Sequence, residues 1–184
     1  MPIEYSAMTV EGHAIVSVDG MIAAADGSMP PELRNDTDWK LFQASLDRAV
    51  LVVLGRLGHT RHPNPGRRRL VLSRSVADLL PDPGDPLAML WNPASMEIAM
   101  VLDRLGLAQG SIAVTGGTGA FDLFLPHYDR FVLSEVRTLT LPGGTPCFSK
   151  GHPRFVLPGA GLQARDMETI DRDAGVIQTQ WVRA

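Results

Sequence analysis

The chain has 184 residues, of which 45% are hydrophobic and 20% charged, with a formal net charge of −3. That length suits one domain with a core of its own, and the slightly acidic balance argues against nucleic acid as the main partner. A single cysteine, Cys147, excludes a disulfide framework and a multi-cysteine zinc site, which points to a reducing, cytoplasmic setting.

The opening MPIEYSAM carries an acid and no basic stretch ahead of an apolar core, so it does not read as a secretory signal. HAIVSV (13–18) reads as a strand ending at the turn pair Asp19-Gly20. Residues 20–34 hold Gly20, Gly27, Pro30 and Pro31 and read as a loop around the short apolar MIAAA. NDTDWKLFQASLDR follows as a helix, with Trp39, Phe42 and Leu46 at helical spacing and acids in the first turn, where the helix dipole favours them. Residues 49–54 are the longest strongly apolar run, far short of the ~20 residues of a membrane helix. They fit a central strand covered on both faces.

Residues 58–66 read as a loop or broken helix, 69–72 (RLVL) as a strand, and 81–86 as a loop. A strand over 87–91 precedes a helix over 95–105, with Ser95 as its N-cap and Gly106 near its end. Residues 111–115 form the next buried strand, 120–125 a short helix stopped by Pro126, and 130–136 another strand. Residues 142–161 are rich in Gly and Pro and read as irregular. The tail from 162 alternates on either side of Ala174-Gly175, as an antiparallel hairpin does. Strands alternating with helices predict a mostly parallel sheet with helices on both faces and an antiparallel edge. Ligands of such sheets gather beyond the carboxyl ends of the strands.

Chemistry concentrates in a few places. VTGGTGAFDLFLP (114–126) sets small residues between a buried strand and a helix, where backbone N–H groups could approach a pyrophosphate. It is neither a dinucleotide fingerprint, since Asp122 stands where the third glycine belongs, nor a Walker loop, since no Lys-Ser/Thr follows. A tight strand-to-helix turn is the alternative. Arg56, Arg61, Arg67, Arg68, Arg69 and Arg74 fall within 19 residues that contain no Asp or Glu. They are either a solvated arginine-rich loop or an anion site. Asp38 is either a first-turn acid or a partly buried carboxylate that grips a heterocycle and assists its protonation. His59 and His62 are followed by Pro63 with no acid near, which argues against a metal site, and Cys147 has no base beside it in sequence.

SVDGMIA, DWKLF, VLGR, PGRRRLVLSR and VTGGTGAFDLFLP, in that order, resemble the dihydrofolate reductase-like superfamily. That superfamily includes dihydrofolate reductase and the reductase domain of the bifunctional riboflavin-biosynthesis deaminase–reductase. The resemblance runs from about Ala14 to Phe148 and treats 1–184 as one domain. It implies a three-layer α/β/α fold with a mostly parallel central sheet and an antiparallel C-terminal hairpin. The implied activity is an NADPH-dependent reductase acting on a pterin, pyrimidine or related heterocycle. The leading type is 5-amino-6-(5-phosphoribosylamino)uracil reduction; dihydrofolate reduction is the near alternative. A non-catalytic NADPH- or flavin-binding protein and an arginine-rich RNA contact are the rivals of other classes.

By the same resemblance Gly116, Gly117, Thr118, Gly119, Ala120 and Phe121 cradle the cofactor pyrophosphate. Gly55, Arg56, Thr60, Ser73 and Arg74 also belong to the cofactor site, with Arg56, Ser73 and Arg74 around the adenosine 2′-phosphate. Ile22 and Ala23 help hold the nicotinamide. Asp38 grips the substrate ring and assists catalysis, Phe42 packs on the ring, and Arg67 takes the place of the arginine that binds the folate tail carboxylate. The riboflavin-type proteins point to a homodimer. The chain departs from the folate enzymes in reading Pro30-Pro31 where they have Pro-Trp, and in its longer GRLGHT.

Overall fold

Described residues of this computed structural model are 7–62 and 64–184, so the opening MPIEYSAM lies largely outside them. The chain begins with β1 (Met8–Ser17), the short β2 (Met21–Ala23) and a 3-10 turn over Pro31–Leu33. Helix α1 (Asp36–Arg48) leads to β3 (Leu51–Gly55), α2 (Arg56–Arg61) and β4 (Arg69–Leu72). A hairpin of β5 (Leu79–Asp82) and β6 (Asp85–Trp91) precedes α3 (Ile98–Arg104), β7 (Gly110–Val114) and α4 (Thr118–Phe124). The chain closes with β8 (Arg130–Val136), β9 (Thr145–Pro146), α5 (Pro153–Gly159), β10 (Leu162–Asp171) and β11 (Val176–Arg183).

Nine strands form one sheet in the order β10-β11-β8-β1-β7-β3-β4-β6-β5. The six from β8 to β6 run parallel, and the C-terminal hairpin and β5 add antiparallel edges. Strand alternation divides the core in two. Leu51 and Val53 face the side covered by Val101 and Leu102 of α3, Phe121 and Phe124 of α4, and Leu157 of α5. Val52 and Leu54 face the opposite side, against Leu46 and Phe42 of α1. Four consecutive buried residues therefore mark β3 as covered on both faces, as its unbroken apolar run predicts.

Several elements differ from their sequence expectation. Strand β1 starts five residues before His13, and its middle is Gly12, where an added Cβ would lie 2.3 Å from the Phe131 ring. The loop expected over 81–86 is a hairpin. Pro81 is tolerated because β5 is an edge strand, and Asp82 and Asp85 side chains accept from Gly84 N and Leu87 N at 2.9 and 3.0 Å. Helix α3 begins at Ile98, not Ser95, because the Ser95 hydroxyl turns back to Ala77 and Asn92 carbonyls. Residues 142–161 are not irregular throughout: they hold β9 and α5, the latter capped by the His152 ring, which accepts from Arg154 N at 3.1 Å. Residues 56–61 are helical, so only the stretch after Arg61 is loop.

Candidate functional site

The carboxyl ends of β3, β4 and β7 open on a crevice of roughly 350 Å³. Gly55, Arg56, Ser73, Arg74, Gly117, Thr118, Gly119 and Ala120 line it, eight of the thirteen residues to which the resemblance assigns the cofactor. Two turns meet there. Gly55 N donates to Gly116 O at 2.7 Å, and a Cβ on Gly55 would sit 3.4 Å from Gly117 N. Gly116 has a φ of +105°, and its own Cβ would touch the Phe121 ring at 2.9 Å, so glycine is required there on two counts. Phe121 is therefore not at the crevice surface; it is a core residue beneath the turn, against Phe131 and Phe148. Ile22 reaches Gly117 from β2, its Cδ1 3.8 Å from where a Cβ would stand, and Ala23 pairs with Thr145 of β9. The Thr60 hydroxyl donates to Arg56 O at 3.1 Å inside α2 and is not among the residues lining the crevice.

The six arginines of the acid-free stretch have different fates. Arg69 is buried on β4 and paired with Asp85, and Arg67 is paired with Asp47 at 2.6 Å. Arg61 donates to Gly27 O at 2.8 Å and Arg68 to Leu105 O at 2.9 Å. Only Arg56 and Arg74 remain at the crevice. Arg56 donates to the neutral Ser75 hydroxyl at 3.2 Å, which in turn lies 2.7 Å from the Ser73 hydroxyl; Arg74 is exposed and has no partner among the described residues. The local positive charge is thus sorted, and what is left over lines the crevice. Ser75, which sequence reasoning missed, orients Arg56.

Asp38 stands at the start of α1, whose N-cap Asn35 accepts from Asp38 N at 3.0 Å. Burial raises the pKa of its carboxyl, while the Ser134 hydroxyl and the nearby His13 act in the opposite direction. Phe42, one turn on, packs its ring 5.7 Å from His13 and 5.8 Å from Trp39. His13 is buried; its Nε2 lies 2.7 Å from Glu11 Oε1, out of line for a hydrogen bond. Neither His13 nor Ser134 carries a sequence signal, since β1 and β8 reach Asp38 only through the sheet. Trp39, expected in the apolar stripe, is 51% exposed. It lines a separate cleft of about 460 Å³ with Gln43, Asp47, Arg61 and Arg67. Both ends of the Arg67 fork are engaged there, by Asp47 and by Asn64 at 3.1 Å. His59, which has no acid near it in sequence, faces Asp82 of β5 at 3.0 Å in the fold.

No protein-family model and no curated protein sequence matches the chain. Solved structures do. A putative riboflavin biosynthesis protein from Shewanella sp. PV-4 is similar with a TM-score of 0.69 and 21% identity, over 96% of this chain and 99% of that one. Dihydrofolate reductase from Enterococcus faecalis, complexed with NADP(H), is similar with a TM-score of 0.68 and 18% identity, over 95% and 96%. The diaminohydroxyphosphoribosylaminopyrimidine deaminase/5-amino-6-(5-phosphoribosylamino)uracil reductase of Thermotoga maritima gives 0.69 and 16%, over 97% of this chain and 57% of its own. The chain has the dihydrofolate reductase-like fold, with the mostly parallel sheet and antiparallel edge hairpin expected of it.

Proposed function

We infer that the protein is an NADPH-dependent reductase of a pterin, pyrimidine or related heterocycle, of the riboflavin-biosynthesis reductase type. The observation that carries this reading is a single crevice lined both by Arg56, Ser73 and Arg74 and by the small residues Gly117–Ala120. The two arginines, neither paired with a carboxylate among the described residues, suit a 2′-phosphate, and Gly119, with nothing within 4 Å of an added Cβ, leaves room for a pyrophosphate against the backbone. The residues therefore fit NADPH and favour it over NADH.

Bound in that crevice, NADPH supplies the hydride. The chain's own contribution is to bind, orient and handle a proton. Arg56, Ser73 and Arg74 hold the adenosine end, and Ile22, packed against Gly117, helps seat the other. Asp38 grips the polar edge of the substrate ring; burial lifts its carboxyl toward the protonated form, which suits it to pass a proton to a ring nitrogen. Phe42 gives that ring an apolar wall. The riboflavin-type likeness also favours a homodimer, which would cover β10, an edge strand with Met167 65% exposed. Stopped-flow NADPH oxidation against a panel of aminopyrimidines and dihydropterins tests the activity. Turnover with one class identifies the substrate; tight NADPH binding with no oxidation by any acceptor would replace the reductase with a binding protein.

A further inference from the structure

Ile22 stands against the Gly117 turn on a ribbon too small to keep its own place. Strand β2 has three residues and its partner β9 two, and together they form a sheet separate from the main one. A lone two-stranded ribbon is marginal in water at best, so its position is set from outside. One anchor lies in the crevice, where the Thr118 hydroxyl donates to Pro146 O at 2.6 Å. A second is Asp19, in the turn that leads into β2, whose carboxylate accepts from Leu141 N at 3.0 Å. The third is His152. Its Nε2 lies 3.0 Å from Val18 O in the same turn. Gly20, with a φ of +87°, brings bare backbone against the ring: an added Cβ would stand 3.0 Å from His152 Cδ2 and 3.1 Å from Pro153 Cδ.

The two ring nitrogens of His152 have opposite partners. Arg154 N donates to Nδ1 at 3.1 Å, so Nδ1 carries no proton; Val18 O can only accept, so Nε2 carries one. Both bonds together require the neutral Nε2–H tautomer. The ring's own base is firm, because Pro153, Val156 and Leu157 of α5 are buried. Helix α5 does not need an imidazole for its cap, since the shorter Asn serves as well at that position. What histidine adds is the second nitrogen, which holds Val18. We propose that His152 is a positioning residue for the nicotinamide end of the coenzyme: it fastens the turn that feeds β2, and with it Ile22, to α5. This rests on the reading of Ile22 and the Gly117 turn as the seat of that end.

Two substitutions separate the two bonds. His152→Asn keeps an acceptor near the place of Nδ1 and removes the donor to Val18; His152→Gln keeps a donor near the place of Nε2 and removes the cap. Amide hydrogen exchange of the free protein reads both sides. Met21 N, which donates to Ser17 Oγ at 3.0 Å, and Cys147 N, which donates to Gly20 O at 3.0 Å, report on the ribbon. Phe155 N and Val156 N, which donate to His152 O at 3.0 and 3.1 Å, report on α5. In His152→Asn the ribbon amides should exchange roughly three- to tenfold faster, the worth of one hydrogen bond, with α5 unchanged; His152→Gln should show the reverse. NADPH affinity should fall by a similar factor in His152→Asn alone, while 2′,5′-ADP, which lacks the nicotinamide end, binds as in wild type. A residue that merely caps α5 predicts that His152→Asn matches wild type throughout. That result, an Nδ1–H tautomer in the ¹⁵N spectrum of the ring, or a loosened ribbon with undiminished NADPH affinity overturns the proposal. A wild type that binds no NADPH fails the reductase reading instead, and the exchange pattern still decides whether His152 fastens the ribbon.

Discussion

Arg74→Ala should change coenzyme preference without changing the fold. The side chain is exposed and has no carboxylate partner among the described residues, so its removal leaves no buried charge behind. Each charge-assisted hydrogen bond to a phosphate is worth about 1.5–3 kcal/mol, and exposure with salt screening argues for the lower end. About 1.5 kcal/mol is roughly a tenfold loss in NADPH affinity. Arg56→Ala should lose a similar factor, and the double variant less than the product, because both side chains address one phosphate. NADH has no 2′-phosphate, so its affinity should stay within about twofold. Fluorescence titration of both coenzymes at two ionic strengths measures the ratio, and the NADPH advantage should also shrink with salt in wild type. Equal losses for NADPH and NADH, or an unchanged ratio in the double variant, would refute the assignment of these arginines.

Asp38→Asn should be more stable than wild type at neutral pH. The folded carboxyl has a raised pKa, so its contribution to stability is complete below the ordinary value of 3.8 and is lost as pH rises through the folded value. The variant's advantage should accordingly narrow on acidification, which denaturant melts across that window would show; an advantage that does not vary with pH speaks against burial as its cause. Gly119→Ala should keep or slightly raise the melting temperature, since alanine is favoured in a helix by up to ~1 kcal/mol and the position is open, yet weaken NADPH by placing a methyl in the crevice. Gly12→Ala should do the opposite. Its methyl would meet the Phe131 and Tyr128 rings at 2.3–2.8 Å, and overpacking of about 1–3 kcal/mol should lower the urea midpoint while any folded fraction still binds NADPH.

The central sheet was legible because β3, β4 and β7 are short apolar runs and the tail alternates around one turn. What escaped was structure whose cause is not local. Pro81 and the Pro-Asp-Pro-Gly-Asp run hide an edge hairpin, because an edge strand needs only half its backbone hydrogen bonds. Helix α5 carries two prolines and lies in a Gly/Pro-rich stretch, and the burial of Val156 and Leu157 against the large core adds to the His152 cap in holding it as a helix. At the site, the crevice residues follow from one strand-to-turn pattern repeated at β3, β4 and β7, so sequence finds most of them. The surroundings of Asp38 do not: His13 and Ser134 come from two strands that are neighbours only in the folded sheet. The acid-free arginine stretch looked uniform in sequence, and only the fold separates Arg69, buried against Asp85, from Arg74, left for a ligand.

The bond between Gly55 and Gly116 bears on how this chain could exchange one coenzyme for another. It ties the segment carrying Arg56 to the turn that would hold the pyrophosphate, and a Cβ at position 55 would rest in ordinary contact with Gly117 N at 3.4 Å, so only a larger side chain there would press on that turn. Ser73, by contrast, is hydrogen-bonded to Trp91 O of β6 at 2.8 Å and is not tied to that turn. Ser75 is bonded to Arg56 and to Ser73, so the exposed Arg74 is the adjustable position of the crevice. An acidic residue there, directed at the ribose hydroxyls of NADH, could be selected or engineered without moving the pyrophosphate turn.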